Sequence, residues 1–311
     1  MASSTDLPEH KLLESPNSRT IQINGWSITA CTNPIASAVD ADALQAQLGI
    51  PLPEMTFAHN VLTLEHRASG WKYAFRTADA LAGVRSGDAQ EGDGVVKVGY
   101  ADATGSSSAI PLPQTSATKQ YDWTYTTVYS GHLEAISPDE VDEKPVIAPD
   151  GFIPWHPADP SDPLQAIPIA ELSRRDPILF YAEIPVFEDE LHDNGASHLL
   201  VRIRVMPSCF FVLARFTLRV DNVLFRMHDT RIYHSFSSSP SRIVRETSGW
   251  EAPYDRVKRQ LSRRDDLTPL TDPNWVGHVL SGMPSDASQR QGAGTGWRGL
   301  GTRTEVALLA E

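Results

Sequence analysis

The sequence predicts a mainly β fold of the α+β class: antiparallel β-sheets in a sandwich-like single domain with a few peripheral helices. Three observations lead there. Segments rich in β-branched and aromatic residues recur along the 311 residues, and many alternate apolar with polar positions. Helical patterns are few. No βαβ rhythm and no internal repeat organises the chain, which argues against a parallel, doubly wound sheet.

In chain order, residues 1–19 are polar and aperiodic and are expected to be a disordered tail. TIQINGWSITA then reads as strand. Ser37 caps SAVDADALQAQLG, Gly49 closes that helix and Pro51 prevents its extension. Thr77 is placed as the cap of a short turn through TADALAGV, with Asp79 in its first turn, where a carboxylate suits the helix dipole. VVKVGY and YDWTYTTVYSGHLEA read as strands separated by a flexible insertion near residues 101–120. A second, proline-rich insertion near 137–168 leads into ILFYAEIPVF, HLLVRIRVM, CFFVLARFTLRV and VLFRMHDTRIYH, all strand-like. Two late helices, in PYDRVKRQLSRR and DPNWVGHVL, complete one domain over residues 20–285, and 286–311 are expected to be a disordered tail.

The totals exclude several classes. A net charge of −12 makes nucleic acid an unsuitable partner, because phosphate contacts dominate that affinity. Cys31 and Cys209 form neither a disulfide framework nor a metal spacing. The most apolar run, CFFVLA, stops at Arg215, far short of the ~20 residues of a membrane span. The N-terminus has no apolar signal core, so an intracellular, cytoplasmic setting without membrane attachment is expected.

The region 187–234 allows a sheet to be drawn. An even loop at Pro207-Ser208 pairs Val205 with Phe210 and Ile203 with Val212. A two-residue turn at Asp221-Asn222 pairs Val220 with Val223, Leu218 with Phe225 and Phe216 with Met227. One face then collects the apolar residues from Val201 to Met227, as a core. The other collects Arg202, Arg204, Arg215, Arg219 and Arg226, with Phe211 and Leu213 among them. That face is either solvated and balanced by carboxylates elsewhere, or a dock for a carboxylate-bearing partner, since guanidinium groups recognise carboxylates bidentately.

FEDELHDNG, residues 187–195, clusters acids around a histidine. A three-residue loop pairs Phe187 with Ile203 and Leu191 with Leu199, sets Glu188 opposite Arg202, and leaves Asp189 facing inward without an identified partner. The alternation of Glu188, Glu190 and His192 onto one face permits an alternative, a metal-dependent hydrolase. No HExxH, CxxC, GxSxG or phosphate-loop motif supports it, and a turn with cross-strand charge pairing explains the same residues. In RMHDTR, Met227 and Asp229 share the core face of the drawn hairpin. Asp229 there needs partners, such as backbone N–H groups or Arg231, as a structural network or as the rim of a ligand site.

The segments LPEMTFAHNVLTLEH, TADAL, YDWTYTTVYSG, FEDELHDNG and RIRVMPSCFFVLARFTLRVDNVLFRMHDTRIYH together resemble the TIPRL family, the TOR-signalling-pathway regulator-like proteins. The resemblance runs in the family's order over most of the chain from Trp26 to His234. Ala58-His59 stands where the family has Gly-Asp, and His228 where it has Asn. The resemblance implies a protein without catalytic activity or cofactor. It would bind the catalytic subunits of type 2A and related Ser/Thr protein phosphatases in TOR signalling, in the cytoplasm and also the nucleus. The alpha-four-type phosphatase-binding protein would be a further contact, or another acidic partner an alternative one. It also implies a mainly antiparallel β fold with a cleft for the phosphatase's acidic C-terminal tail. Residues at matching positions are Asp79, Met227 and Asp229, with Ile167 a looser match. The expectation from the drawn sheet is that Arg202, Arg204, Arg215 and Arg226 line that cleft.

Overall fold

Every second residue of β3 (Trp26–Cys31) is buried, and that alternation recurs through a computed structural model that describes residues 7–84, 125–134, 155–173, 177–283 and 302–309. With β1 (His10–Ser15), β2 (Ser18–Ile23), β5 (Val61–His66), β6 (Trp71–Arg76) and β7 (His132–Leu133) it forms a six-stranded antiparallel sheet, ordered β1-β2-β3-β5-β6-β7. The second sheet has eight strands in the order β4-β9-β10-β11-β12-β13-β14-β8. These are β4 (Met55–Thr56), β8 (His156–Pro157), β9 (Phe180–Asp189), β10 (Gly195–Val205), β11 (Cys209–Val220), β12 (Leu224–Ser235), β13 (Arg242–Pro253) and β14 (Arg303–Leu308). The sheets face each other across a core that includes Ile28, Leu62 and Phe75 on one side and Ile184, Val201, Phe210 and Phe216 on the other. Trp26 meets Phe210 edge-on at 4.8 Å between ring centroids. The architecture is the expected mainly β, antiparallel one.

Among the described residues, five short helices sit around the sheets. In α1 (Ala38–Leu48) Ser37 accepts the Asp40 N–H, and Gly49 closes the helix at φ 70°, as the sequence indicated. Thr77 is not a cap: it is the first residue of α2 (Thr77–Ala82), and its hydroxyl donates to the Phe57 carbonyl at 2.7 Å. On the outer face of the eight-stranded sheet, α4 (Tyr254–Lys258) and α5 (Pro273–Gly282) cover Phe225, Met227 and Ala252, making a second core. At the other end of that face, α3 (Ile169–Leu172) and Ile167 cover Met206, Cys209, Val244 and Val306.

The hairpin at Pro207-Ser208 has the predicted register, with Val205 opposite Phe210 and Ile203 opposite Val212. The next hairpin differs by one residue. Val223 belongs to the turn, donating its N–H to Val220 at 3.0 Å while Asn222 takes φ 60°, and Val220 pairs with Leu224. Leu218 therefore lies opposite Arg226, and Phe216 opposite His228. Phe225 and Met227 leave the main core. The predicted register assumed one core; a second core on the opposite face gives those two residues an apolar home, so the burial argument no longer selects between registers.

The 187–195 stretch also differs. Phe187 lies opposite Leu199 rather than Ile203, and Glu188 opposite His198 rather than Arg202, with a one-residue irregularity between Leu199 and Leu200. The loop is longer than predicted, with Leu191, His192 and Asp193 all at positive φ. Leu191 enters the core from the loop rather than from a strand. Asp189 does face inward, and its partners are backbone: the N–H groups of Glu54 at 3.0 Å and Leu191 at 2.7 Å. Burial still raises its pKa.

The expected tails hold strands. β1 and the start of β2 lie within residues 1–19, and β14 lies within 286–311, pairing with β13 and β8. The second insertion contributes β8, a 3-10 turn at Pro163–Gln165, and Ile167. VVKVGY and the insertion near 101–120 lie outside the described residues. Within 125–134, only His132–Leu133 is strand.

Gly195 sits at φ 150°, where an added Cβ would lie 1.9 Å from the Arg219 carbonyl oxygen. Gly195→Ala is expected to lower unfolding free energy by about 3 kcal/mol in urea titrations. Burial lowers the pKa of His198, His228 and His234 from the ordinary imidazole value of 6.5 to about 4. Between those values the unfolded chain binds protons that the native chain refuses, so stability falls as pH drops from 6.5 towards 4. The thermal midpoint should fall across that window, and His198→Asn should flatten the slope.

Candidate functional site: the arginine face of the eight-stranded sheet

Strand alternation sends Glu183, Arg202, Leu213, Arg231 and Glu246 to the outer face, side by side across β9 to β13. A second row, Leu200, Arg215, Asp229 and Ser248, runs next to it. Helix α5 bounds these rows on one side. On the other, Arg204 holds α3 by donating to the Leu172 carbonyl at 3.0 Å. The result is a half-exposed charged channel between two apolar clusters.

Asp229 organises the channel floor. Its side chain is fully buried, and Arg215 grips it with two bonds, Nε to Oδ1 and Nη2 to Oδ2, both 2.7 Å. Arg231 adds Nη2 to Oδ2 at 3.0 Å and reaches Glu246 with Nη1 at 2.5 Å. Arg215 Nη1 also donates to Asn274 Oδ1 at 3.1 Å and to the Pro273 carbonyl at 3.3 Å, tying the sheet to the first turn of α5. Arg202 meets Glu183 at 3.0 Å in a more exposed pair. Beside Asp229, Met227 is fully buried against α5; a Cβ added at Gly277 would lie 2.9 Å from its sulfur.

The one-residue change of register redistributes the predicted site. Arg202, Arg204 and Arg215 share the outer face, and Met227 and Asp229 join them there rather than facing the opposite way. Arg226 leaves: it is 1% exposed on the inner face, with Nε donating to Glu251 Oε2 at 2.6 Å. It cannot line a surface cleft. Ile167 is buried under the α3 end of the same face. Arg231 was missed as a lining residue. It alternates with Asp229 along β12, so the correct register would have found it.

Asp79 lies elsewhere, on α2 of the other layer. Its carboxylate is 3.0 Å from His132 Nδ1, which also lies 3.1 Å from the Tyr129 hydroxyl. Tyr129 accepts the Arg76 N–H at 3.1 Å, and burial raises its pKa. The same loop touches the second sheet through Ser130, whose Oγ is 3.0 Å from the Thr230 hydroxyl. Asp79 therefore connects to the inner face of β12, whereas the arginines lie on its outer face.

Among the described residues, no three His, Cys, Asp or Glu side chains are placed to share a metal ion. Glu188 pairs alongside Met55, and His192 sits in the left-handed turn, so the predicted hydrolase cluster is dispersed. No described helix is long and apolar enough to cross a membrane.

The profile of the TIP41-like family matches residues 55–258. A TIP41-like protein of Homo sapiens is 40% identical over 258 residues, covering 82% of this chain and 83% of its own length. One from Arabidopsis thaliana is 34% identical over 268 residues, covering 84% and 87%. The type 2A phosphatase activator TIP41 of Saccharomyces cerevisiae is 33% identical over 276 residues, covering 83% and 70%.

Removing the carboxylate at 229 leaves two guanidinium groups facing each other without their shared anion. Asp229→Ala should destabilise the fold by about 3–5 kcal/mol. Arg202→Ala, which breaks the exposed pair, should change it by no more than about 1 kcal/mol. Denaturant titration of both variants distinguishes the two environments.

Proposed function

The chain belongs to the TIP41-like family, and from that membership we propose that it is a non-catalytic regulator that binds the catalytic subunit of type 2A Ser/Thr protein phosphatases. The observation that carries this reading is the family match over residues 55–258, joined to a Saccharomyces cerevisiae relative named a type 2A phosphatase activator. Its setting would be TOR signalling, in the cytoplasm and nucleus, with related phosphatases and the alpha-four-type phosphatase-binding protein as further contacts.

The finer proposal concerns the phosphatase's acidic C-terminal tail. The channel between α3 and α5 supports it by chemistry: Arg202 and Arg231 are part-exposed, carry planar donors, and lie next to Leu213 and Leu200. An incoming carboxylate would exchange with Glu183 at Arg202, replacing an exposed pair worth about 0–1 kcal/mol. Asp229 and Met227 act from beneath, fixing Arg215, Arg231 and α5. Asp79, beside His132, would make a separate contact from the other layer.

Capture of recombinant phosphatase catalytic subunit, with and without its C-terminal tail, tests both levels. Full-length subunit should be retained and the truncated one retained less. Arg202→Glu should weaken a tail peptide about tenfold and lessen the salt dependence of its binding. Equal retention of both subunits would defeat the tail proposal; retention of neither would defeat the reading itself. A phosphatase assay on the captured complex gives the sign of regulation.

A further inference from the structure

Among the described residues, the two sheets have four edges, and three of them are two-residue strands: β4, β7 and β8. Such short edges offer little template for another chain, which is how soluble proteins suppress edge pairing. The fourth edge is β1, six residues long, without proline, glycine or bulge, and regular in its register with β2. Five of its six residues are exposed, including Leu12 at 48% and Leu13 at 40%. These leucines point to opposite faces. An edge adapted only to water would place polar groups on its outward face, whereas β1 offers a leucine to both.

We propose that β1 is a homodimerisation edge, pairing antiparallel with β1 of a second copy about a two-fold axis at Leu12. The register follows from symmetry. A two-fold relating antiparallel edge strands stands perpendicular to the sheet, so it keeps each face on its own side. Directly opposed residues must then be an even number of positions apart. Two registers keep five residues of β1 paired. Centring on Leu13 sets Leu12 against Glu14 of the second copy, an apolar group against a carboxylate. Centring on Leu12 stacks the two Leu12 side chains and sets each His10 opposite the other copy's Glu14. On the reverse face each Leu13 lies against the aliphatic stem of Lys11. The second register satisfies both faces at once, and this self-complementarity selects a second copy as the occupant. Within each copy Glu14 lies opposite Arg19 of β2 at 3.5 Å in an exposed pair, so its carboxylate remains in solvent and open to a second cation.

A contact of this length is at the small end for protein interfaces, so association should be weak and concentration-dependent. Sedimentation equilibrium of the full chain over a wide concentration range reads it. The wild type should shift from monomer to dimer. Leu12→Asp, which places two carboxylates on the axis, should raise the dissociation constant at least about tenfold. Glu14→Lys should do the same, and adding His10→Glu should restore dimerisation by reversing the pair. That rescue separates interface from fold, because the Arg19 contact stays broken in the double variant. Far-UV circular dichroism should be unchanged in all variants, since none of the three residues is buried. A wild type that stays monomeric at the highest concentration, or a dimer that Leu12→Asp leaves intact, would overturn the proposal.

Discussion

Asp229 is fully buried, yet its carboxylate is shared by two guanidinium groups, and one of them reaches on to the first turn of α5. Much of the outer layer depends on that arrangement. A lone buried carboxylate is costly, and so is a lone buried guanidinium, so neither is tolerated without the other. Because Arg215 is on β11 and Arg231 two residues along β12, the carboxylate locks the alignment of these strands as well as neutralising them. Through Asn274 and Pro273 it also fixes where α5 lies, and α5 in turn covers Met227. Register, layer spacing and the exposed row of charges are therefore consequences of one shared anion.

How much of this could be read from the chain depends on how many cores compete for a strand. The Pro207-Ser208 hairpin was legible because β10 and β11 alternate strictly and only one register buries Val205, Ile203, Phe210 and Val212 together. The hairpin that follows was not. Phe225 and Met227 are as apolar as the residues facing the main core, but they belong to a second cluster formed with Tyr254, Val257 and Val276. Nothing local in β12 announces that second cluster; its other half is supplied by residues about thirty to fifty positions later. The arginine face was recognised, but its membership was wrong by one step: Arg226 exchanged with Arg231, and Met227 and Asp229 joined.

The partner of Asp189 shows the same limit in a smaller form. Its inward orientation followed from alternation, whereas the N–H of Glu54 comes from 135 positions away in sequence. The left-handed run at Leu191, His192 and Asp193 was equally hidden, because three consecutive non-glycine residues rarely take that conformation, a leucine least of all. β1 and β14 were passed over for a different reason. Each lies beside polar sequence, and a short strand gains its stability from the neighbour that pairs with it, not from its own composition.

β14 has a consequence for the order in which the molecule can be assembled. It is the last described strand to be synthesised, yet it lies between β13 and β8, inside the sheet rather than at its end. Until it emerges from the ribosome, β13 presents an open, hydrogen-bonding flank over the six residues from Arg242 to Thr247 that β14 pairs, and β8 has nothing to join. The Arg245–Glu305 contact, 2.7 Å and largely buried, cannot form before then either. A nascent chain thus carries a sticky margin for the whole time needed to make the residues between Pro253 and Arg303. This margin of the sheet is therefore the last to close.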